Sequence, residues 1–504
     1  MTPRRSLTTG FQAFALDPAA SEPLHRQLYD ELRKAMLTGR LPSGHRLPAS
    51  RELARVMTLS RNTVLAAYDQ LLAEGYIESR AGSGTFVAKM IPDAMVPERA
   101  SIPPAAPARD VGQRRELSKR GRAIDAAPLM LSQARVTGHA FRPGLPALDH
   151  FPMDLYRRLM DKRLRRASVA MLAYGDPQGY LPLREAIATH LIASRGARCS
   201  AEQIIITSGS QQAMDLAVRV LLDPGDQVWL EDPGYFAARG VLRANEMLVV
   251  PVPVDREGMN VAAGIARAPH ARFAYTTPSH QNPLGVTLSL PRRLALLQWA
   301  ERSGAWIFED DNASEYRFAG RPLAALQGVD EHARVLYAGT FSKVLFAGLR
   351  LGYLVAPTDL VQPLVRAREL ADRQSPGISQ AVLADFMLGG HFARHIRRMR
   401  TLYATRLKAL LVAVRQHGAG LIELFEGEGS TNRVLWLPAG LDDQAVHERL
   451  AAKGILTFAL SEDTIEPQPR GGLILGFGGV DEQQIDDGVR VIAQTVREML
   501  SERG

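Results

Sequence analysis

The chain has 504 residues, 46% hydrophobic and 23% charged, with a formal net charge of +8. That length allows two or three domains and a large core, and the composition excludes a disordered or fibrous protein. Residues 1–90 hold 12 Lys/Arg against 8 Asp/Glu, an excess of +4, and residues 91–128 hold 7 against 5. Half of the total excess therefore lies in the first ninety residues, as expected where part of a chain meets a polyanion. Cys199 is the single cysteine, which excludes an intrachain disulfide and points to a reducing compartment. No run of about eighteen apolar residues is present to span a bilayer. The N-terminus MTPRRSLTTGFQAF lacks the hydrophobic core of a signal peptide, so the expected location is cytoplasmic.

Residues 20–90 are patterned as one small domain. Leu24, Leu28, Leu32, Ala35 and Met36 form a helical stripe that ends near Gly39, and Pro42, Gly44 and Pro48 fix a loop after it. A short helix over about 50–57 and a tight turn lead to Ser60, an N-cap for a second helix whose Val64, Ala67, Tyr68 and Leu71 face inward. YIESRAGSGTFVA alternates around a glycine turn, as a two-stranded wing does. Helix, loop, helix, turn, helix and wing make a winged helix-turn-helix. Its second turn helix would carry Arg61, Asn62 and Thr63 into a DNA major groove. Arg51 is placed to reach phosphate, and Arg80, Gly82, Ser83 and Gly84 occupy the wing tip. Arginine suits both tasks, because its planar fork matches phosphate and guanine bidentately. The competing reading is a protein-binding helical domain with arginines on a solvated face.

The segment LPSGHRLPASRELARVMTLSRNTVLAAYDQLLAEGYIESRAGSGTFV resembles the GntR family of bacterial repressors. The resemblance implies that Arg51, Arg61, Thr63 and the wing glycine contact operator DNA. His45 departs from it, standing in a loop where an acidic residue is common.

Prolines 92, 97, 103, 104, 107 and 128, without an apolar period, mark 91–128 as a semi-extended linker. From 129 to 504, helical patterns alternate with the strand-like runs QIIITSG, DQVWLEDPGY, ARFAYTTP, AWIFEDD, RVLYAGTFSK and LRLGYLVAP. Alternation of this kind predicts an α/β domain with a mostly parallel sheet and its functional groups at the strand ends. In YAGTFSKVLFAGLRLGY, Lys343 lies in an apolar stretch behind Thr340 and Ser342 and seven residues before Arg350. An amine beside an anion-binding set is what the phosphorylated aldehyde pyridoxal phosphate requires. TSGSQQA places Ser210 and Gln211 at a helix N-terminus, where phosphate is favoured. Tyr235 follows a strand end and could stack on a flat ring, Asn282 could donate to a ring hydroxyl, and Asp310 could hold a pyridine nitrogen protonated. Singly, each could be a helix cap, a core tyrosine, a turn asparagine or a strand-end acid.

Together these motifs resemble the class I aminotransferases of fold type I over about residues 130–504. The resemblance implies that Lys343 is the Schiff-base lysine, Asp310 pairs with the pyridine nitrogen, Asn282 contacts the ring hydroxyl and Tyr235 stacks on the ring. It also implies that Ser210, Gln211, Thr340, Ser342 and Arg350 hold the phosphate, with Tyr174 reaching in from the partner subunit of a homodimer. A small C-terminal α/β subdomain completes that fold. A GntR-like domain joined to such a body is the arrangement of the MocR subfamily, which includes the GabR-type regulators.

Two departures bear on function. EDDN puts Asn312 where the subfamily commonly has a tyrosine, and GGLILGFGG puts Ile474 where relatives carry the arginine that clamps a substrate carboxylate. Arg470 and Arg433 are the candidate replacements. The expectation is a pyridoxal-phosphate-dependent transcriptional regulator, sensing an amino compound or the cofactor itself, with room for a residual half-transamination and with no metal site. The alternatives are a working aminotransferase with an accessory DNA-binding domain, and a scaffold that has lost the cofactor. Ile474 argues against the first alternative; Lys343, Asp310, Asn282 and Arg350 argue against the second.

Overall fold

The computed structural model describes residues 14, 16–80, 83–89, 116–127, 140–312, 314–318, 324–425, 427 and 429–502. The chain divides into two compact units, Met1–Arg115 and Glu116–Gly504.

In the first unit, α1 (Leu24–Leu37) buries Leu28, Leu32, Ala35 and Met36. α2 (Ser50–Val56) buries Leu53 and Ala54, and α3 (Arg61–Ala73) buries Val64, Ala67, Tyr68 and Leu71. These side chains share one apolar cluster with Ile77 and Val87. α3 begins where the Ser60 hydroxyl accepts from the Thr63 N–H at 3.1 Å, which satisfies one of the free N–H groups of the first turn. β1 (Ile77–Arg80) and β2 (Gly84–Val87) pair antiparallel as the wing. Gly84 takes φ +111°, and a Cβ there would come within 3.1 Å of the Arg46 guanidinium, so glycine suits the position.

The expected linker ran to residue 128, but its far end is structured. α4 (Lys119–Asp125) starts at a Ser118 cap and lies against the helix Phe236–Ala244. Lys119 pairs with Glu246 at 2.7 Å. No residue of α4 is buried, so no apolar period could have marked it; the cap and the ion pair hold it.

The second unit is built on β3 (Ile204–Thr207), β4 (Gln227–Asp232), β5 (Leu248–Asp255), β6 (Gly258–Met259), β7 (Phe273–Thr276), β8 (Trp306–Asp311), β9 (Val335–Thr340) and β10 (Gly352–Val355). They form one sheet in the order β3-β10-β9-β8-β7-β4-β5-β6. β5, β4, β7, β8 and β9 run parallel, and β10 is antiparallel to both its neighbours. Apolar clusters cover both faces: Phe273, Phe308 and Leu336 pack with the helix Ser210–Leu221, while Trp229 and Ile307 pack with the helix Leu290–Ser303. Burial on both faces is why these strands read as continuous apolar runs.

The strand reading missed β5, whose Pro251 and Pro253 argue against a strand. It is tolerated because only the two-residue β6 lies beyond it, pairing with Val254 and Asp255, so most of its outer edge has no ladder to break. A smaller antiparallel sheet follows: β11 (Glu423–Leu424), β12 (Asn432–Trp436), β13 (Phe458–Ala459) and β14 (Gly472–Gly476), in the order β11-β12-β14-β13.

Candidate functional site

β8 ends in three consecutive acids, and the two-residue period of a strand sends them to different faces. Glu309 accepts from the Leu326 and Gln327 N–H groups, both at 2.9 Å. Asp311, on the same face, accepts from Arg195 Nε at 2.9 Å, from the Ser314 hydroxyl at 2.8 Å and from the Tyr337 hydroxyl. Asp310 faces the other way. One of its oxygens accepts from the Tyr275 hydroxyl at 2.7 Å, and Oδ1 is buried with no partner among the described residues. Burial pushes this carboxyl up to about 6, against the pull of Tyr275 and Lys343.

Lys343 lies three residues past β9. Its Nζ donates to the Gly144 carbonyl at 3.2 Å. Burial, and the nearby positive charge of Arg142, lower its pKa, while Asp310 raises it. The Gly144 N–H in turn donates to Asn432 Oδ1 at 3.0 Å. Three segments far apart in the chain are thus joined through two hydrogen bonds. Gly144 takes φ +72°, and a Cβ there would fall 2.1 Å from Lys343 Nζ; only glycine leaves the lysine its place.

These groups open on one cavity. Of the residues expected from the sequence, it brings together Lys343, Asp310, Ser210, Thr340, Tyr235 and Asn282. Ser210 opens the helix Ser210–Leu221, whose first N–H groups lack intrahelical partners. Tyr235 caps the helix Phe236–Ala244, and its hydroxyl pKa is raised by burial, then by Asp310 and Asp463. The remaining residues do not line the cavity. Gln211 is exposed and gives its amide to the Ala237 carbonyl at 3.0 Å. The Ser342 N–H donates to Thr340 Oγ1 at 3.2 Å. Arg350 is exposed in the left-handed region, φ +50°, near enough to Tyr235 to act on its hydroxyl. Tyr174 is 79% exposed, with the Arg373 guanidinium 4.7 Å from its ring centre.

Sequence reasoning missed Gly144, Phe236, Asn432, Phe458 and Asp463, all of which line the cavity alongside Asn312 and Ile474. Asp463 sits in an acidic run that reads as solvated surface; only a tertiary contact with the 234–236 turn places it, through the Gly234 and Phe236 N–H groups. Ile474 is 2% exposed and pairs with Val434 on β12 and Phe458 on β13.

Neither candidate arginine replaces the missing clamp. Arg433 is buried rather than solvated, and its guanidinium donates to the carbonyls of Gly427, Gly429 and Asn432. Burial lowers its pKa to about 10. Arg470 donates to the Leu437 carbonyl at 2.7 Å and pairs with Glu423 at 3.0 Å.

In the first unit, Arg51, Arg61 and Asn62 are exposed at the starts of α2 and α3, and Thr63 is half-buried, its hydroxyl 2.8 Å from that of Ser60. Arg80 is exposed at the end of β1, pairs with Glu78 and lies 4.7 Å from the Phe86 ring centre. Gly82 lies outside the described residues. Among those residues no cluster of His, Cys, Asp and Glu could hold a metal, and no helix is long and apolar enough to cross a membrane.

The fold and the site define a winged helix-turn-helix protein carrying an aminotransferase-like body of fold type I. Residues 24–87 match the family of bacterial regulatory proteins of the gntR type, and residues 151–492 match aminotransferase class I and II. The chain is 39% identical to the probable rhizopine catabolism regulatory protein MocR of Rhizobium meliloti, over 94% of each chain. It is 31% identical to the pyridoxine biosynthesis transcriptional regulator PdxR of Corynebacterium glutamicum, over 94% of this chain and 95% of that one. The body superposes on a kynurenine aminotransferase of Pyrococcus horikoshii, solved with PMP, at a TM-score of 0.71 and 30% identity, covering 78% of this chain and 99% of that one. The protein belongs to the MocR-type regulators of the GntR family, DNA-binding transcriptional regulators with an aminotransferase class I and II domain.

Proposed function

We propose that this regulator binds pyridoxal phosphate in the body through Lys343 and senses an amino compound, or the cofactor itself, there. The observation that carries the reading is the cavity's matched pair: a half-buried amine at Lys343 and a buried, unpartnered Asp310 oxygen. An isolated buried carboxylate oxygen is costly, and a protonated pyridine nitrogen is the partner that it lacks. The donor set therefore fits the cofactor. When bound, pyridoxal phosphate supplies an aldehyde that captures primary amines and a ring that draws electrons.

The chain's own residues divide the remaining work. Lys343 offers the attaching amine, and its depressed pKa keeps more of it neutral and nucleophilic. Asp310 would pair with the ring nitrogen, Asn282 would reach the ring hydroxyl and Tyr235 would stack on the ring. Ser210 and Thr340, in the lining, would hold the phosphate, with Gln211, Ser342 and Arg350 closing in and Tyr174 arriving from a partner subunit. The exposure of Tyr174 with Val169, Leu172 and Leu370, 70–84%, supports a homodimer, since apolar groups of that size are usually covered. Ligand binding shifts the DNA-binding equilibrium by the difference in its affinity for two conformations of the body. Arg51, Arg61, Asn62, Thr63, Arg80 and Gly82 contact the operator, and the protein works in the cytoplasm.

The test is the visible absorbance of the protein mixed with pyridoxal phosphate. The wild type should show a band that Lys343→Ala abolishes; an unchanged band in the variant removes Lys343 from the site. Residual half-transamination is the second reading, favoured by the intact Lys343–Asp310 pair; one equivalent of keto acid released from an amino donor would establish it, whereas sustained turnover with an amino donor and a keto acid would make the body a working aminotransferase.

A further inference from the structure

The effector end of the cavity has a charge pattern opposite to the one an amino acid needs. Among the described residues, Lys343 is the only basic one in the lining, and in the reading above the cofactor takes it up. Ile474 presents an apolar wall between Val434 and Phe458. Arg433 and Arg470 spend their donors on carbonyls and on Glu423. Arg142 lies near Lys343 but outside the lining.

Against this stands Asp463, in the lining and 5% exposed. Its Oδ1 accepts from the Phe236 N–H at 3.3 Å, and no described group donates to its Oδ2. The nearest cation, Arg239, does not neutralise it by contact: its guanidinium donates to the carbonyls of Glu462 and Thr464. Asp463 and Asp310 both lie close enough to Tyr235 to act on its hydroxyl, and all three line the same cavity.

We infer that the effector is a primary amine with no carboxylate beside its amino group and with a second, cationic group that Asp463 binds. The inference rests on the reading of Lys343 as the cofactor's anchor. A carboxylate in this cavity would meet Asp463 with no arginine in the described lining to offset it, whereas a second ammonium would give Oδ2 a charge-assisted donor. Burial pushes Asp463 up to about 7, so an arriving cation would also fix its ionised form. Asn312 and Asn432 add neutral polar groups to the same wall, which suit the ligand's hydroxyl or amine substituents.

The experiment uses the full chain loaded with pyridoxal phosphate and follows perturbation of its visible band. Probes are α,ω-diamines of three to six carbons, ω-amino alcohols and monoamines of matched length, and L-alanine and L-glutamate. The best diamine should act at about 10–100-fold lower concentration than its matched amino alcohol, the ratio expected of one charge-assisted hydrogen bond. Asp463→Asn should bring that ratio to within about threefold. Amino acids acting at lower concentration than every diamine would overturn the inference, as would equal response to diamine and amino alcohol in the wild type. The wild-type comparison decides the matter even if Asp463→Asn fails to fold. Absence of any visible band sinks the cofactor reading instead, which keeps the two failures apart.

Discussion

Asp310 and Asp311 are chain neighbours at the end of β8, yet they live in opposite electrostatic settings. Asp311 is held below the usual carboxylate range despite its burial, by Arg195 and by the hydroxyls of Tyr337 and Ser314. Asp310 is raised by burial and has the Tyr275 hydroxyl as its one described donor; each acid keeps one oxygen without a donor, but only Asp310 also lacks a cation in contact. The first acid fastens the sheet to the helix Leu181–Arg195; the second is left for a ligand. Arg195→Met should therefore unfold the body at lower denaturant, at a cost of about 3–5 kcal/mol, since it strands a buried charge. Asp310→Asn should leave the midpoint of the empty protein unchanged or raised, and should weaken cofactor binding about 10–100-fold, read by titrating the visible band.

The raised carboxyls set a pH dependence. Asp310 at about 6 and Asp463 at about 7 hold protons in the folded state that the unfolded chain releases near 4. Where the folded state binds more protons, stability falls as pH rises. The empty body should lose stability between about pH 4 and 7, by on the order of 3 kcal/mol for Asp310 and 4 kcal/mol for Asp463 at a little over 1 kcal/mol per pKa unit. Denaturation midpoints measured across that window should flatten in Asp310→Asn and Asp463→Asn. A midpoint that rises through the window would show that neither acid is protonated in the folded body.

Ile474→Arg should admit carboxylates. The residue lines the cavity from β14, so a guanidinium there can meet an α-carboxylate while its stem lies along Phe458. L-Amino acids should then perturb the visible band at concentrations about tenfold or more below those needed for the wild type. The body should also lose stability, because the site is among Leu284, Val286, Val434 and Phe458. No gain for amino acids would mean that the missing clamp is not what excludes them.

Gly144→Ala should disable the site without touching any charged group. The new Cβ would fall on Lys343 Nζ, at a φ that alanine disfavours. Loss of the visible band with specific operator binding retained is the expected pair of results. A normal band would show that the loop yields.

Arg61→Ala should reduce specific operator affinity by about 1–3 kcal/mol, whereas Ser60→Ala should lower the thermal stability of the first unit by about 1 kcal/mol through the lost cap. Equal binding of specific and random DNA by the Arg61 variant, in salt-matched titrations, would separate base reading from phosphate contact.

Much of this was legible because the signals were local. The N-cap of α3, the apolar stripes and the strand-end positions of Tyr235, Asp310 and Lys343 follow from spacing within a dozen residues. Asp463 and Asn432 were not legible, because they reach the cavity through contacts spanning hundreds of residues. The role of Arg433 was hidden for a related reason: its acceptors are backbone carbonyls, and carbonyls leave no mark in a sequence. α4 carries no buried residue, so periodicity had nothing to report.

The hydrogen-bonded path from Lys343 through Gly144 to Asn432 has a thermodynamic corollary. Its atoms belong to the connection between β9 and β10, to the segment entering the body and to the first residue of β12. Whatever fills the cavity closes a junction that no neighbouring stretch of chain could close. An occupant that binds only the closed junction adds RT ln(1 + [L]/Kd) to its stability, so the melting temperature of the body should track cofactor concentration. The protein's fold is then itself a gauge of cofactor supply, before any effector arrives.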